Sequence, residues 1–214
     1  MPYLLTIQYP YDHLTITLSD ATTIITTQTI SKFQAIQLLL PTLQTILTEH
    51  SIHLSDISCI GINTGPGPFN TLRSIIATAN SIAFSTNIPL VGCNGLELLM
   101  HESAQENTVV ILDAFGNDVY YAMTTSGKEG YDTIEHVIAQ CNALSTDHLV
   151  FIGNGAIKHQ AVIKKNITSN CTIDSTCTFA SPQSLVDATF KKWTQGATEK
   201  ELFPLYFASP VVKS

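Results

Sequence analysis

The chain has 214 residues, of which 44% are hydrophobic and 13% are charged, so a disordered protein is excluded and one large or two small domains are allowed. The formal net charge of −7, with Arg73 as the only arginine, excludes the cationic surface that holds a nucleic-acid backbone, and we expect no RNA binding by the chain alone. No apolar run is long enough for a membrane span, and the first residues do not resemble a signal peptide. The five cysteines include no CxxC pair, which indicates a protein of the reducing cytoplasm.

Three strands are predicted at the start of the chain, before the pattern changes to that of a helix. Alternating apolar and polar residues predict strands at Tyr3–Ile7 and His13–Ser19, and a β-rich run predicts a third at Thr22–Thr29. The next segment, Phe33–Glu49, has apolar residues at helical spacing. The predicted apolar face consists of Ile36, Leu39, Leu40, Leu43, Ile46 and Leu47. Leu38 lies beside this face and widens it, and Pro41 predicts a kink.

A strand, a glycine-rich loop and a helix follow one another directly. The strand is predicted at Ile57–Ile62, the loop spans residues 63–71, and Asn70 or Thr71 is the predicted N-cap of the helix. The helix buries one apolar face made of Leu72, Ile75, Ile76, Ala79, Ile82 and Ala83. A further strand at Pro89–Cys93 and a short helix at Asn94–His101 complete the first half.

The chain becomes polar at Glu102–Asn107, and we place a domain boundary there, with domains at residues 1–103 and 104–214. The predicted elements of the second half are strands Val109–Asp113 and Asp118–Thr124, helix Ile134–Asn142, strand Leu149–Ile152 and helix Ser181–Thr194. The first two of these strands are joined through Gly116-Asn117, which suits a tight hairpin. The pattern predicts two strand-rich units in series, each with added helices.

The loop can be interpreted as a phosphate site or as a rigid turn. Gly65 and Gly67 allow backbone conformations closed to other residues, and the loop leads to a helix N-terminus, which favours an anion. However, Pro66 and Pro68 have no N–H to donate, no GK[ST] ending is present, and Asn70 stands where a dinucleotide fingerprint has its third glycine. A nucleotide or phosphate loop would use Gly65, Gly67, Asn70 and Thr71, and both interpretations stay open.

Small residues line the helix on the side away from its predicted core face. This ridge consists of Ser74, Ala77 or Thr78, Ser81 and Ser85. Small side chains let another helix approach closely, and no Lys or Glu occupies the ridge. Arg73 lies next to it and could reach a carboxylate or phosphate on a partner. A plain solvated surface is the alternative.

Seven segments, in order along nearly the whole chain, resemble motifs of the TsaB (YeaZ) family. The segment 65–73, Gly-Pro-Gly-Pro-Phe-Asn-Thr-Leu-Arg, is similar to the family's GPGSFTGLR-like loop. The other resembling segments are residues 39–41, 54–62, 88–99, 113–120, 153–156 and 204–207.

The resemblance implies an α/β fold with two RNase-H-like subdomains of the actin/Hsp70/sugar-kinase (ASKHA) type. It also implies a non-catalytic subunit for the synthesis of threonylcarbamoyladenosine at position 37 of tRNA, which forms a heterodimer with the catalytic TsaD through N-terminal helices and works with the ATPase TsaE. We assign the partner interface to Leu38, Arg73, Ser74, Ala77, Thr78, Ser81 and Ser85. tRNA would be met only through the complex, and we predict no catalytic residue, metal or cofactor of the chain's own. An ATP or ADP at the subunit boundary and a homodimer of the isolated chain stay open.

The departures from the family pattern bear on an alternative function. The first strand of such folds usually ends in an aspartate near the nucleotide phosphates, whereas this chain has Gln8, and the loop has Pro68 and Thr71 in place of serine and glycine. These changes disfavour a small ATP-binding ASKHA enzyme or a glycoprotease-like peptidase, the two alternatives that remain. Asp113 with Asp118 is the one candidate carboxylate pair, and it flanks a predicted turn, where aspartate is common.

Overall fold

A computed structural model describes residues 2–103 and 105–207, which form two compact units. Among the described residues, the first unit comprises Pro2–Gly95 together with Ser181–Leu205, and the second comprises Leu96–Ala180 with Tyr206 and Phe207. Each unit has its own five-stranded mixed sheet with helices, so the predicted α/β fold of two strand-rich units is confirmed. Within the described residues, no helix is both long and apolar enough to cross a lipid bilayer.

The first unit contains five strands and three helices. Its strands are β1 Tyr3–Gln8, β2 His13–Asp20, β3 Thr23–Ser31, β4 Ile57–Asn63 and β5 Leu90–Cys93. Its helices are α1 Ala35–Glu49, α2 Phe69–Thr86 and α7 Pro182–Thr194. The strand order is β3-β2-β1-β4-β5; the first three strands form an antiparallel meander, and β4 and β5 run parallel to β1.

Alternate residues of these strands separate the two faces of the first sheet. Leu5 and Ile7 of β1 and Ile60 and Ile62 of β4 belong to a core with the buried sides of α1 and α2. This arrangement follows from the period of two along a strand, which sends successive side chains to opposite faces. The apolar face predicted for α2 is confirmed, since all six of its residues are buried in or packed against this core.

Helix α1 is rotated relative to its predicted apolar face. Leu39, Leu43, Ile46 and Leu47 are buried, as expected, and Leu38 packs partly buried against the same core. The prediction was wrong for two residues, since Ile36 is 49% exposed and Leu40 is 53% exposed. The physical reason is that the predicted stripe is wider than the core can cover, and the side that carries Leu38 turns inward instead. Pro41 lies inside one uninterrupted helix.

Helix α7 covers the other face of the first sheet, although the predicted division at residue 103 assigned it to the second domain. It packs on β1, β4 and β5. A Cβ atom added to Gly61 of β4 would lie 2.0 Å from the Thr189 side chain, so the glycine makes room for the helix. The sequence contained a strong helix signal at Ser181, whose hydroxyl accepts a hydrogen bond from the Ser184 N–H as an N-cap, but it contained no sign of which sheet the helix joins.

The second unit repeats the strand order of the first. Its strands are β6 Thr108–Asp113, β7 Asp118–Met123, β8 Glu129–Thr133, β9 His148–Ile152 and β10 Asn170–Ile173. Its helices are α3 Gly95–Glu102, which begins one residue before the boundary, α4 Ile134–Asn142, α5 Asn154–Lys158 and α6 Gln160–Asn166. The order β10-β9-β6-β7-β8 again combines an antiparallel meander with parallel strands on its far side.

The predicted hairpin between β6 and β7 and the predicted helix α4 are confirmed. The strands β8 and β10 and the helices α5 and α6 were not predicted. β8 and β10 have only five and four residues, Glu-Gly-Tyr-Asp-Thr and Asn-Cys-Thr-Ile, and such short segments with few apolar residues give a weak strand signal.

The close approach of α7 to the first sheet gives a stability test. The variant Gly61→Ala places a methyl group against Thr189, and we expect a loss of about 1–3 kcal/mol in the free energy of unfolding, the usual cost of overpacking. The matched control is Gly67→Ala, because a Cβ at Gly67 meets nothing nearer than 3.8 Å. Urea titration of both variants checks this, and equal stability of the two would contradict the packing of α7 described above.

Candidate functional site

The glycine-rich loop is held by hydrogen bonds within the first unit. The Thr64 N–H donates to the Cys93 carbonyl at 2.9 Å, and the Gly95 N–H donates to the Gly65 carbonyl at 2.7 Å. The Gly65 N–H in turn donates to the Asn63 side chain at 3.0 Å, and the Leu205 N–H donates to the Thr64 carbonyl at 2.9 Å. The loop is therefore fixed to the end of β5 and to the segment after α7.

Two glycines are required by this geometry. Gly65 has φ +109°, which other residues rarely adopt, and a Cβ there would lie 2.8 Å from the Leu72 side chain. A Cβ at Gly95 would lie 2.8 Å from the Asn63 side chain and 3.0 Å from the Gly65 carbonyl. These contacts fit the rigid-turn interpretation, because the N–H groups of Thr64 and Gly65 are already used and Pro66 and Pro68 have none.

Helix α2 begins without the predicted cap. Its N-cap residue is Pro68, which makes no side-chain hydrogen bond to the helix, so the prediction of Asn70 or Thr71 as the cap was wrong. Both lie within the first turn, since the helix begins at Phe69, two residues earlier than a cap at Asn70 would place it. Arg73 is exposed, and its guanidinium lies 4.0 Å from the centre of the Phe69 ring, a cation–π contact within the same helix.

The predicted ridge on α2 is presented to solvent with its hydroxyl groups already bonded. The Ser81 hydroxyl donates to the Ala77 carbonyl at 2.8 Å, and the Ser85 hydroxyl donates to the Ile82 carbonyl at 2.9 Å. Ala77, Ser81 and Ser85 are exposed. Because the hydroxyl hydrogens are used within the helix, the ridge offers a small, weakly polar surface to a neighbour.

The remaining two ridge residues, Ser74 and Thr78, are half-buried at its edge. The Thr78 hydroxyl donates to the Ser74 carbonyl at 2.9 Å, and the Ser74 hydroxyl donates to the Asn70 carbonyl at 3.1 Å. The structure thus places Arg73, Ala77, Ser81 and Ser85 on the outside of α2, whereas Leu38 packs against the core from α1.

Large exposed hydrophobic side chains on the first unit were not predicted. Ile36 and Leu40 lie one turn apart on α1, and Phe33 just before the helix is 87% exposed. On α2, Phe84 is 89% exposed, beside a shallow cavity of about 470 Å³ whose lining includes Asn80 and Ser81. A wide apolar stripe on α1 was the available signal, since only part of such a stripe can face one core. We call Phe33, Ile36, Leu40 and Phe84 the exposed apolar set.

In the second unit, the Lys158 side chain lies at the hairpin between β6 and β7 and contacts the carboxylate of Asp113. The Lys158 ammonium lies 2.6 Å from Asp113 Oδ1 and donates to the Gly116 carbonyl at 2.8 Å. The Asp113 N–H donates to the Asn154 side chain at 3.1 Å. The charge of Asp113 is therefore compensated within the unit, and Lys158 would have to leave before a metal ion could bind this carboxylate.

Asp113 and Asp118 contact different side chains, Lys158 and Tyr131. The Tyr131 hydroxyl donates to Asp118 Oδ2 at 2.5 Å, and this hydrogen bond, followed by burial, raises the pKa of Tyr131 to about 12. The two carboxylates thus have separate partners, as the interpretation of a structural turn requires. Among the described residues, no group of three or more His, Cys, Asp or Glu side chains could hold a metal ion.

The cysteines of the first unit are packing residues, as predicted. Cys59 and Cys93 are buried, and burial raises the pKa of the Cys59 thiol to about 12. A thiol with so high a pKa forms almost no thiolate near neutral pH and is a poor nucleophile.

Comparison with known proteins assigns the chain to a family. The family model described as "TsaD: tRNA N6-adenosine threonylcarbamoyltransferase" matches residues 26–193. The tRNA threonylcarbamoyladenosine biosynthesis protein TsaB of Haemophilus influenzae is 24% identical over 149 residues, which cover 62% of this chain and 63% of that protein. The match thus spans less than two thirds of the length of this relative.

Solved structures agree on the fold. YeaZ from Pseudomonas aeruginosa superposes with a TM-score of 0.77 at 22% identity, over 96% of this chain and 100% of that one. A putative N-acetylmannosamine kinase from Listeria monocytogenes gives a TM-score of 0.53 at 9% identity, over 91% of this chain and 99% of that one. The predicted relation to sugar-kinase folds is confirmed at the level of architecture.

A buried histidine in the second unit gives a pH prediction. His159, between α5 and α6, is 6% exposed, and its Nε2 has no hydrogen-bond partner among the described residues. Burial, followed by the charge of Lys158, lowers the pKa of His159 below its usual 6.5. Since the unfolded chain then binds the proton first as the pH falls, this residue makes the free energy of unfolding decrease below about pH 6.5.

We therefore expect His159→Gln to weaken the loss of stability between pH 7.5 and pH 5, measured by urea titration at each pH. His50→Gln, which changes an exposed histidine, is the matched control and is expected to keep the steeper dependence. Identical pH profiles for the wild type and His159→Gln would contradict the assignment.

Proposed function

We infer the function from the family: the chain belongs to the family described as TsaD, tRNA N6-adenosine threonylcarbamoyltransferase, and is a relative of the proteins named TsaB and YeaZ. We propose that it is a non-catalytic subunit in the synthesis of tRNA threonylcarbamoyladenosine, and that it binds a separate TsaD protein and holds it in a competent form. The exposed apolar set on α1 and α2 carries this proposal.

The exposed apolar side chains of α1 and α2 are suited to contact helices of a partner. Helices α1 and α2 pack against each other, and each exposes large apolar side chains, with Leu40 53% and Phe84 89% exposed. Burying such a side chain contributes about 1.5–3 kcal/mol, so covering the set would contribute several kcal/mol of binding. Exposed apolar side chains on a protein with few charged residues favour contact with a protein partner over contact with water.

The ridge of α2 complements the apolar set. Ala77, Ser81 and Ser85 are small and exposed, and the two serine hydroxyls bond within the helix. A partner helix can approach such a ridge closely without having to satisfy hydroxyl groups. Arg73 at the start of the ridge is the one positive side chain on α2, and we propose that it meets an acidic group of the partner.

The acidic residues that an ATP-binding enzyme of this fold would need are replaced or occupied. Gln8, at the end of β1, is neutral and buried, and Asp113 is paired with Lys158. The loop before α2 uses its first N–H groups internally. A small ATP-binding enzyme remains the second candidate, because the fold resembles that of a putative sugar kinase.

The same proposal includes TsaE, tRNA and a nucleotide as further components of the complex. We propose that TsaE and tRNA meet this chain through the complex with TsaD, which suits a chain with net charge −7. An ATP or ADP, if present, would lie at the boundary with the partner, and the work would take place in the cytoplasm.

Two substitutions on different helices test the interface. Ser81→Arg places a long charged side chain on the ridge, and Leu40→Asp places a carboxylate in the apolar set. We expect each to weaken binding to the cognate TsaD at least tenfold, which corresponds to about 1.4 kcal/mol, measured by titration calorimetry. Circular dichroism and thermal unfolding of the chain alone should stay near wild type, since both side chains are exposed.

The matched control is Ser126→Arg, which adds the same side chain on an exposed turn of the second unit. We expect it to bind TsaD like the wild type. If Ser81→Arg and Leu40→Asp also bind normally, α1 and α2 do not form the interface.

A separate measurement distinguishes the scaffold from the second candidate. We expect the purified chain alone to release no phosphate from ATP, in the presence of Mg²⁺, above a buffer blank. Turnover that disappears in Asp113→Asn would show that the chain is an ATPase, and the proposal of a non-catalytic subunit would be wrong.

A further inference from the structure

An irregular segment after α7, residues 199–205, is attached to the first unit at three evenly spaced points. Glu199 exchanges two backbone hydrogen bonds with the first residue of β5, at 3.0 and 2.8 Å. The Leu202 side chain is 2% exposed and belongs to the core of the unit. The Leu205 N–H donates to the Thr64 carbonyl of the glycine-rich loop at 2.9 Å. We call residues 199–205 the strap, which is thus fixed to β5, to the core and to the loop.

Asn80 of α2 ties this helix to the middle of the strap. The Asn80 Nδ2 donates to the Leu202 carbonyl at 2.9 Å, and the Leu202 N–H donates to the Asn80 Oδ1 at 2.9 Å. One side-chain amide therefore satisfies both backbone groups of a buried residue that belongs to no helix or strand. We call these two hydrogen bonds the amide clamp. They fix one point of α2 relative to the strap.

The amide clamp acts on the half of α2 that packing holds less firmly. In its first half α2 buries large side chains, including Ile75 and Ile76, whereas in its second half it buries Ala79 and Ala83 and packs Ile82 only in part. Hydrophobic stabilisation is roughly proportional to the apolar area removed from water, so the two alanines contribute less than the isoleucines. The clamp thus supplies an attachment where the core contributes little.

The same half of α2 carries part of the surface proposed for the partner. Ser81 belongs to the ridge, and Phe84, which is 89% exposed, lies one helical turn after Asn80. These three residues line the cavity of about 470 Å³ together with Lys200 and Glu201 of the strap. A shift of the helix relative to the strap would therefore change how the Phe84 ring and this cavity are presented.

We infer that Asn80 is a positioning residue for partner binding, whose amide clamp holds the second half of α2 so that Ser81 and Phe84 are presented in one orientation. Asn80 itself is half-buried and acts through these two residues. A group that is ordered before binding loses less conformational entropy when the partner arrives, and the affinity is correspondingly higher. This inference rests on the proposed function, since it takes TsaD as the protein that contacts α2.

A second asparagine makes a comparable pair of hydrogen bonds in the second unit. Asn142, the last residue of α4, donates from its Nδ2 to the Asn166 carbonyl at 2.9 Å, and its Oδ1 accepts from the Thr168 N–H at 2.9 Å. Asn142 is half-buried, as Asn80 is. Asn142→Ala therefore removes a similar clamp without changing α1, α2 or the strap, and it is the matched control.

Titration calorimetry with the cognate TsaD tests the inference. We expect Asn80→Ala to weaken binding about tenfold, which corresponds to about 1.4 kcal/mol, and Asn142→Ala to bind like the wild type. Asn80→Asp is a second variant, which keeps the acceptor for the Leu202 N–H and loses the donor to its carbonyl, and it should also weaken binding. In the chain alone, amide hydrogen exchange of residues 81–87 should be faster in Asn80→Ala and unchanged in Asn142→Ala.

A double-mutant cycle shows whether Asn80 acts through Phe84. Phe84→Ala removes the side chain that the clamp positions, so adding Asn80→Ala to it should weaken binding by a clearly smaller factor than in the wild type. A contribution of Asn80 to stability alone would give the same factor in both backgrounds. Circular dichroism of each variant checks that the chains compared are folded.

The failure of this inference is distinguishable from the failure of the proposed function. Normal binding by Asn80→Ala, equal losses in Asn80→Ala and Asn142→Ala, or equal factors in the two backgrounds would overturn the inference. If Ser81→Arg and Leu40→Asp weaken binding in the same experiment, the proposed function stands. A wild-type chain that does not bind TsaD would overturn the proposed function and this inference with it.

Discussion

The backbone hydrogen bonds around Thr64 and Gly65 determine how the first unit presents its surface. The Gly65 carbonyl accepts from the Gly95 N–H, and the Thr64 N–H and carbonyl bond to Cys93 and Leu205. These bonds fix the loop against β5 and the segment after α7, and thereby fix the point at which α2 begins. The same bonds use the N–H groups of Thr64 and Gly65, so these two donors are not available to a phosphate.

The second unit has the strand order of the first, and a lysine side chain occupies its hairpin between β6 and β7. Lys158 lies against Asp113 and the Gly116 carbonyl, so the charge of this carboxylate is compensated within the unit. The chain thus keeps the architecture of the sugar-kinase fold. Under the proposed function, the chemistry on the substrate is carried out by the partner protein, and the exposed apolar set on α1 and α2 would contact that partner.

Sequence patterns predicted those elements whose burial is periodic. The strands of the first unit, the inward face of α2 and the hairpin of β6 and β7 follow alternation or helical spacing and were predicted nearly to the residue. Patterns could not show which sheet α7 covers, because Thr189 and Gly61 are 128 positions apart and only their contact pairs them. They also could not divide the wide stripe of α1 into Leu39, which is buried, and Leu40, which is exposed, since both positions are apolar. The role of Lys158 was also not predicted. Its ion pair with Asp113 forms only because the fold brings α5 to the hairpin, and the two residues are far apart in the sequence.

The central claim is that the chain acts by binding and supporting a larger relative. The most direct measurement is transfer of threonylcarbamoyl from its adenylate to tRNA by purified cognate TsaD, with and without this chain, at equal TsaD concentration. The account predicts that transfer requires this chain and saturates at one chain per TsaD. Transfer at the same rate without the chain would contradict it.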